Sequence, residues 1–433
     1  MMMKRKKSIL MAALVMTVAS MTTSCNTDGE RKMCCHIEGT VADSTYTYML
    51  LTPQGSDVRT TKADTIPVMN GKFSFDLYVN EVLPYEIISM DEHNNGAWWT
   101  CDFFAEEGTV NISYHLFEEE KTPDVYSETP TNREYLRHNA ELGSLFTDAL
   151  EQERDSLKRI GRWDSPRMVE LKALYDSVQD NRTKDSIANL ANAIYESGEA
   201  YTPEYHAFQK KSKQVIAKHD RFVEDYIRNN RSLVGLFLLK QRAHWGSQSY
   251  EKSLSSKDSL TIALYTEVYR PLFPTHPMSE YMELWIQSKE IRKGGHYIDF
   301  TAPDLDGNLH TLSKEIAGKV ALIDLWASWC GSCRRESKSM KPVYEAYKEK
   351  GFTVVGVARE YKREDMERAL AKDGYPWLNL LELQDANNIW TKYGVSRAGG
   401  IILMVDTDGT ILAINPSAEE VEKILKEKLN KRI

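Results

Sequence analysis

Cys330 and Cys333 stand two residues apart in the run Trp329-Cys330-Gly331-Ser332-Cys333. Thiols at that spacing can close a disulfide on each other and reopen it by exchange with a third sulfur. The flanking residues decide the chemistry. Residues 320–326, VALIDLW, are an apolar run interrupted by a single acid, the pattern of a strand buried on both faces of a parallel sheet. After Cys333, the residues Met340, Val343, Tyr344 and Tyr347 recur at helical spacing. A strand that delivers Cys-x-x-Cys to the start of a helix is a redox signature. Unpaired backbone N–H groups and the positive end of the helix dipole favour a thiolate on Cys330, lowering its pKa from about 8.5 toward neutrality. Cys333, one helical turn further in, is placed to attack a mixed disulfide on Cys330. Cys330 is therefore the expected nucleophile and Cys333 the resolving thiol. A zinc site needs further ligands, and no second Cys-x-x-Cys or Cys/His pair at ligand spacing accompanies this one, so no metal is expected. A c-type haem needs His where Arg334 stands. A purely structural disulfide across so small a loop would constrain little.

Other motifs extend the pattern. Thr301-Ala302-Pro303-Asp304 with Asp306-Gly307, Gly318-Lys319 before the apolar strand, and the run from Trp329 to Glu336 are followed by Lys350-Gly351-Phe352 and Tyr393-Gly394-Val395. With these, residues 295–433 resemble the thioredoxin-like domain of the TlpA/ResA group of bacterial extracytoplasmic thiol-disulfide oxidoreductases. The resemblance covers about the last third of the chain and implies an α/β thioredoxin-like fold. It also implies an enzyme that exchanges dithiol for disulfide with protein thiols or disulfides, with no cofactor beyond a redox-active Cys330–Cys333 disulfide. Asp324, six residues before Cys330, matches the buried acid of thioredoxins. A carboxyl in an apolar strand has a raised pKa and could relay the proton of Cys333. Glu336 matches the acid that ResA-like proteins place near the pair, and its alternative is a solvated first-turn charge. Trp329, Gly331 and Ser332 are expected on the substrate-facing loop, Trp329 as the most exposed aromatic, shielding the thiolate and touching partner protein. The family carries a cis-proline before the late strand; here that position falls on Gly400, or on Gly399 with a shift of one residue, and Ser396-Arg397-Ala398-Gly399-Gly400 holds no proline.

The rest of the chain must carry and place this centre. At 433 residues it has room for about three domains. A hydrophobic fraction of 42% supplies cores, and a net charge of −8 without a basic stripe argues against nucleic acid. Residues 1–24 read as a lipoprotein signal peptide: Lys4-Arg5-Lys6-Lys7, an apolar stretch too short to span a bilayer, then Thr22-Thr23-Ser24 leading into Cys25. Cys25 is the expected lipidation site, anchoring an envelope protein that faces the periplasm. A reductive role in that oxidising compartment would require a membrane-linked electron donor.

Residues 35–118 have short β-branched and aromatic runs, and Asn70-Gly71 is a type I′ hairpin signal, so a small antiparallel β-sandwich is expected. This resembles the strand-rich domain often fused ahead of thioredoxin-like domains in bacterial lipoproteins. Cys34, Cys35 and Cys101 read as packing residues, with a pairing of Cys101 to one of the others as the alternative. Residues 131–292 are an α-helical region, with helices predicted at 133–160, 167–198, 203–229, 232–244 and 279–291. Lys293-Gly294-Gly295 reads as a linker. Within 295–433, strands are predicted at 320–326, 352–357, 401–405 and 411–414, and helices at 333–350, 363–373, 387–393 and 418–429. Two rival functions share these features. One is a thiol peroxidase of the peroxiredoxin type, although Ile323 and Ala327 stand where that family has Pro and Thr. The other is a non-catalytic envelope adaptor.

Overall fold

The computed structural model describes residues 32–42, 45–94, 100–115, 123–244, 254–396 and 398–429. The leader, Cys25 and Trp98-Trp99 lie outside the described residues. Apolar alternation builds strands β1 (Met33–Val41), β2 (Tyr48–Pro53), β3 (Asp64–Pro67), β4 (Lys72–Val79), β5 (Leu83–Ser89), β6 (Cys101–Ala105), β7 (Gly108–Tyr114) and β8 (Asp124–Tyr126). They form two sheets, ordered β4-β1-β7-β8 and β3-β2-β5-β6, around a core that includes Ile37, Met49, Phe73 and Phe103. Pairings are antiparallel except β1 with β7, which run parallel. Asn70 and Gly71 both take positive φ, 52° and 70°, as a type I′ turn requires. Yet the strands this turn joins belong to different sheets, β3 pairing with β2 and β4 with β1, so it is a corner of the sandwich. Cys34, Cys35 and Cys101 are free thiols, and burial pushes Cys35 up to about 11, which leaves it a packing residue.

The middle region is helical. The predicted 133–160 helix is one run, Pro130–Leu142 and Asp148–Arg159 joined by a π-helical segment, Gly143–Thr147. The predicted 167–198 helix divides into Pro166–Ser177 and Asn181–Ser197, where the Asp180 carboxylate caps a new start by accepting from the Arg182 and Thr183 amides. Pro203–Asn229 and Leu233–His244 form as expected. Ser256–Leu264 was not foreseen, although Ser255 accepting from the Asp258 amide is a readable cap. The sandwich and helices share a core: Phe104, Tyr135 and Phe237 meet edge to face with centroids 5.2–5.6 Å apart. Asn132 binds both the N–H and the C=O of Phe104 at 2.7 Å. Glu106, from the end of β6, accepts from the first amides of the Pro130–Leu142 helix, which has no cap of its own.

The C-terminal region adds a hairpin, β9 (Thr301–Pro303) with β10 (Leu309–Thr311), and strands β11 (Val320–Trp326), β12 (Phe352–Glu360), β13 (Leu378–Leu383), β14 (Ile401–Val405) and β15 (Ile411–Ile414). Their order is β13-β12-β11-β14-β15, parallel across the first three strands and antiparallel across the last three. Every residue of central β11 is buried. Its alternate residues serve two layers: Ala321, Ile323 and Leu325 pack with Trp390 and Tyr393, while Val320 and Leu322 pack with Met340, Val343, Val421 and Leu425. The predicted 333–350 helix starts earlier and breaks in two, Gly331–Ser339 and Lys341–Tyr347. Pro342 supplies no N–H and would clash one turn back, so the chain restarts there. Lys293-Gly294-Gly295 is more than a linker: Gly294 donates to Ile411 O and Ile411 to Gly295 O, both at 2.8 Å, docking it against β15.

Candidate active site

Cys330 and Cys333 are joined in a disulfide. Cys330 occupies the N-cap of the Gly331–Ser339 helix, and its Sγ accepts the Cys333 amide N–H at 3.3 Å. The sulfur therefore takes the place a capping oxygen would fill, among N–H groups with no partner inside the helix. Ser332 and Gly331 are exposed, and Ser332 Oγ lies 3.5 Å from Cys330 Sγ.

Asp324 continues the Val320–Leu322 face of β11, which points to the layer containing this helix. It is 3% exposed, and its Oδ1 has no hydrogen-bond partner. Burial pushes its carboxyl up to about 7, against a Ser337 hydrogen bond that lowers it. A groove of about 470 Å³ brings Asp324, Ser332, Cys333 and Glu336 together with Gly400 and Glu420. Glu336 is exposed on the rim of that groove.

The loop expected to face the cysteines does so without a cis peptide among the described residues. A Cβ on Gly399 would sit 2.5 Å from Cys330 Sγ and 3.2 Å from Cys333 Sγ. One on Gly400 would overlap the Leu325 carbonyl oxygen. Both glycines are needed for close approach, since neither has positive φ. Trp329 differs from expectation. It is half-buried, with the Arg59 guanidinium of the sandwich 4.0 Å from the ring centroid. Tertiary packing, invisible in the local sequence, covers part of it.

Two supports escaped sequence reasoning. Glu360, at the end of β12 and 1% exposed, accepts from the Ser328 amide at 2.6 Å and the Ser328 hydroxyl at 2.7 Å. Burial pushes its carboxyl up to about 6 against those bonds. Arg334 donates to the Ser328 carbonyl at 3.0 Å and holds Asp373, whose carboxyl stays below its ordinary range through that pairing despite burial. The turn leading into Cys330 is thus fixed from both sides. The available signal was an acid closing the apolar strand 352–358, where a side chain leaves the sheet beside the neighbouring strand's exit.

Residues 293–429 match the Redoxin family model. The chain is 25% identical over 134 residues to the thiol-disulfide oxidoreductase ResA of Geobacillus thermodenitrificans, covering 31% of this chain and 75% of that protein. It is 31% identical over 118 residues to the thiol:disulfide interchange protein DsbE of Allochromatium vinosum, covering 26% of this chain and 60% of that one. Among solved structures, the thioredoxin domain of a thiol-disulfide oxidoreductase from Bacteroides vulgatus aligns with 29% identity and a TM-score of 0.30, over 32% of this chain and 98% of that one. With a disulfide at a helix N-terminus after the central strand of a five-stranded mixed sheet, the C-terminal third of this chain is a thioredoxin-like thiol-disulfide oxidoreductase domain.

Proposed function

We propose that the chain exchanges dithiol for disulfide with protein substrates through Cys330 and Cys333, at the cell envelope. The observation that carries this reading is the Cys330 sulfur capping a helix and receiving the amide of Cys333, which lines a groove shared with a protonatable buried acid. In the reduced enzyme, Cys330 thiolate attacks one sulfur of a target disulfide, forming a mixed disulfide and releasing the other target sulfur as thiolate. Asp324 carboxylate takes the Cys333 proton. Cys333 thiolate then attacks Cys330 Sγ, the target leaves as a dithiol, and two electrons have passed to it. The enzyme is left as the Cys330–Cys333 disulfide, and a thiol donor linked to the membrane returns it to the dithiol. Run backwards, the same steps oxidise a target. Glu336 lies at the groove rim, where it meets the incoming segment, with Trp329, Gly331, Ser332, Gly399 and Gly400 as the surrounding surface. Among the described residues no helix is long and apolar enough to cross a membrane. Attachment is assigned to a lipid on Cys25 after removal of residues 1–24, which mass spectrometry of the mature N-terminus tests.

Full-length Cys333→Ala traps the intermediate: targets accumulate as mixed disulfides on Cys330, and none form with Cys330→Ala. Peroxide consumption at undiminished rate in Cys333→Ala, with no trapped protein, would instead select the peroxidase reading.

A further inference from the structure

The sandwich reaches into the redox site through the turn at residues 57–61. Arg59 lays its guanidinium over the Trp329 ring at 4.0 Å while donating from Nε and Nη2 to the two Asp57 oxygens at 2.8 and 2.6 Å. The Asp57 side chain is 8% exposed, and its second cation is Arg359, 3.6 Å away. Arg359 is itself buried. It donates to both Asp385 oxygens at 2.7 and 2.6 Å and to the Ser396 carbonyl at 3.0 Å. Thr60, fully buried, closes the circuit by donating to Asp385 at 3.0 Å. One turn of the N-terminal domain therefore grips the redox site in two places. It touches the aromatic residue before the nucleophile, and it joins the network that holds the start of the loop ending in Gly399 against the disulfide.

Exposed ion pairs commonly contribute little. This network differs because its central members are buried and its Arg–carboxylate pairs are two-pronged, which fixes direction as well as distance. Trp329 Nε1 is buried and has no hydrogen-bond partner, so the ring's orientation rests on packing and on the cation above it.

We propose that Arg59, contributed by the sandwich, is a positioning residue of the thiol-disulfide site that sets Trp329 as part of the docking face for protein substrates. The inference rests on Cys330 being the exchanging thiol. A bulky protein segment must meet this face around the cysteines, whereas a small disulfide needs only the sulfur. Arg59 thereby biases the enzyme toward protein disulfides without taking part in the exchange.

The test uses the pre-reduced full chain in stopped flow with insulin and with oxidised glutathione. In Arg59→Ala the second-order rate constant with insulin falls about fivefold, the scale of one cation–π contact, while that with glutathione stays within about twofold. The intrinsic fluorescence of Trp329, read as the difference from a Trp329→Phe protein, shifts. Arg59→Lys keeps the charge opposite Asp57 without the flat stack and restores part of the insulin rate. Adding Arg59→Ala to Trp329→Phe causes no further loss, as expected of residues acting through one another. If Arg59→Ala does not fold, the insulin and glutathione comparison is read on Arg59→Lys. Unchanged insulin rates, equal losses on both substrates, or additive losses in the double variant overturn the proposal. Failure of the underlying reading is separate: the wild-type protein would then exchange with neither disulfide.

Discussion

Asp324→Asn offers a test with a calculable size. In the unfolded chain this carboxyl ionises near 3.8; in the folded protein burial holds it at about 7. Between those values the folded protein keeps a proton that the unfolded chain has released, so folding takes up a proton and stability falls as pH rises. Each pH unit across the gap removes about 1.4 kcal/mol, so the wild-type domain is about 4 kcal/mol less stable above pH 7 than near pH 4 on account of this group. Asn has the same shape and no proton to release, so the variant escapes the loss. A three-part chain has no single unfolding free energy. The suitable measurement is therefore native-state hydrogen exchange of β11 and β12 amides in the oxidised protein, corrected for intrinsic rates, at pH 5 and pH 8. The variant's advantage should be smaller at pH 5 and grow by about 2.7 kcal/mol by pH 8. On the proposed role of Asp324 as acceptor for the Cys333 proton, the same substitution should slow resolution of a mixed disulfide at pH 7 by about a hundredfold, the range of general-base catalysis. Parallel stabilities at the two pH values, with unchanged resolution kinetics, would refute the reasoning on both counts.

Other substitutions probe the supports. Gly399→Ala forces a methyl to within 2.5 Å of Cys330 Sγ. The loop must retreat at a cost of about 1–3 kcal/mol, visible as slower exchange with protein disulfides and weaker amide protection near residue 399. Glu360→Ala strands the half-buried Ser328 amide, costing about 1 kcal/mol or more; Glu360→Gln, which keeps an acceptor, should recover much of the loss in thermal melting and in Cys330 alkylation rate. Lys240→Met tests the junction of sandwich and helices. Lys240 donates to the Gln54 carbonyl and side chain at 2.8 and 2.9 Å, near Glu86 and Asp102, whose carboxyls burial raises to about 7 and about 6. Without the ammonium, which burial lowers to about 8 and which is therefore still largely charged at pH 7, those acids lose their cation as they ionise toward pH 7 and stay largely neutral at pH 5. The variant should lose about 3–5 kcal/mol of amide protection in β5 and β6 at the higher pH, and clearly less at the lower. Equal losses at both would contradict it.

The redox pair, the buried strand before it and the acid at Asp324 were legible because each follows from short-range pattern. Seven apolar-rich residues announce β11, and the Cys-x-x-Cys spacing announces a helix start. The helices 203–229, 363–373 and 418–429 were equally plain, since each carries apolar residues at helical spacing with few breakers. Boundaries failed where a local event competes with periodicity: Pro342 splits one helix, and the Asp180 cap restarts another. The Asn70-Gly71 turn forms as expected, but which sheets its flanks join depends on pairings 13 to 46 residues away.

The sequence by itself determined which groups the site holds: two thiols at a helix start, an acid in an apolar strand, and glycines in place of the facing loop's proline. Tertiary structure alone decided what surrounds those groups. Arg59 lies 270 residues before Trp329, and Glu360 lies 32 residues after Ser328, yet each is a direct neighbour in the fold. Periodicity records which face of an element is apolar. It carries no record of which distant charge will be brought to that element, because such contacts are selected by the packing of whole layers against one another.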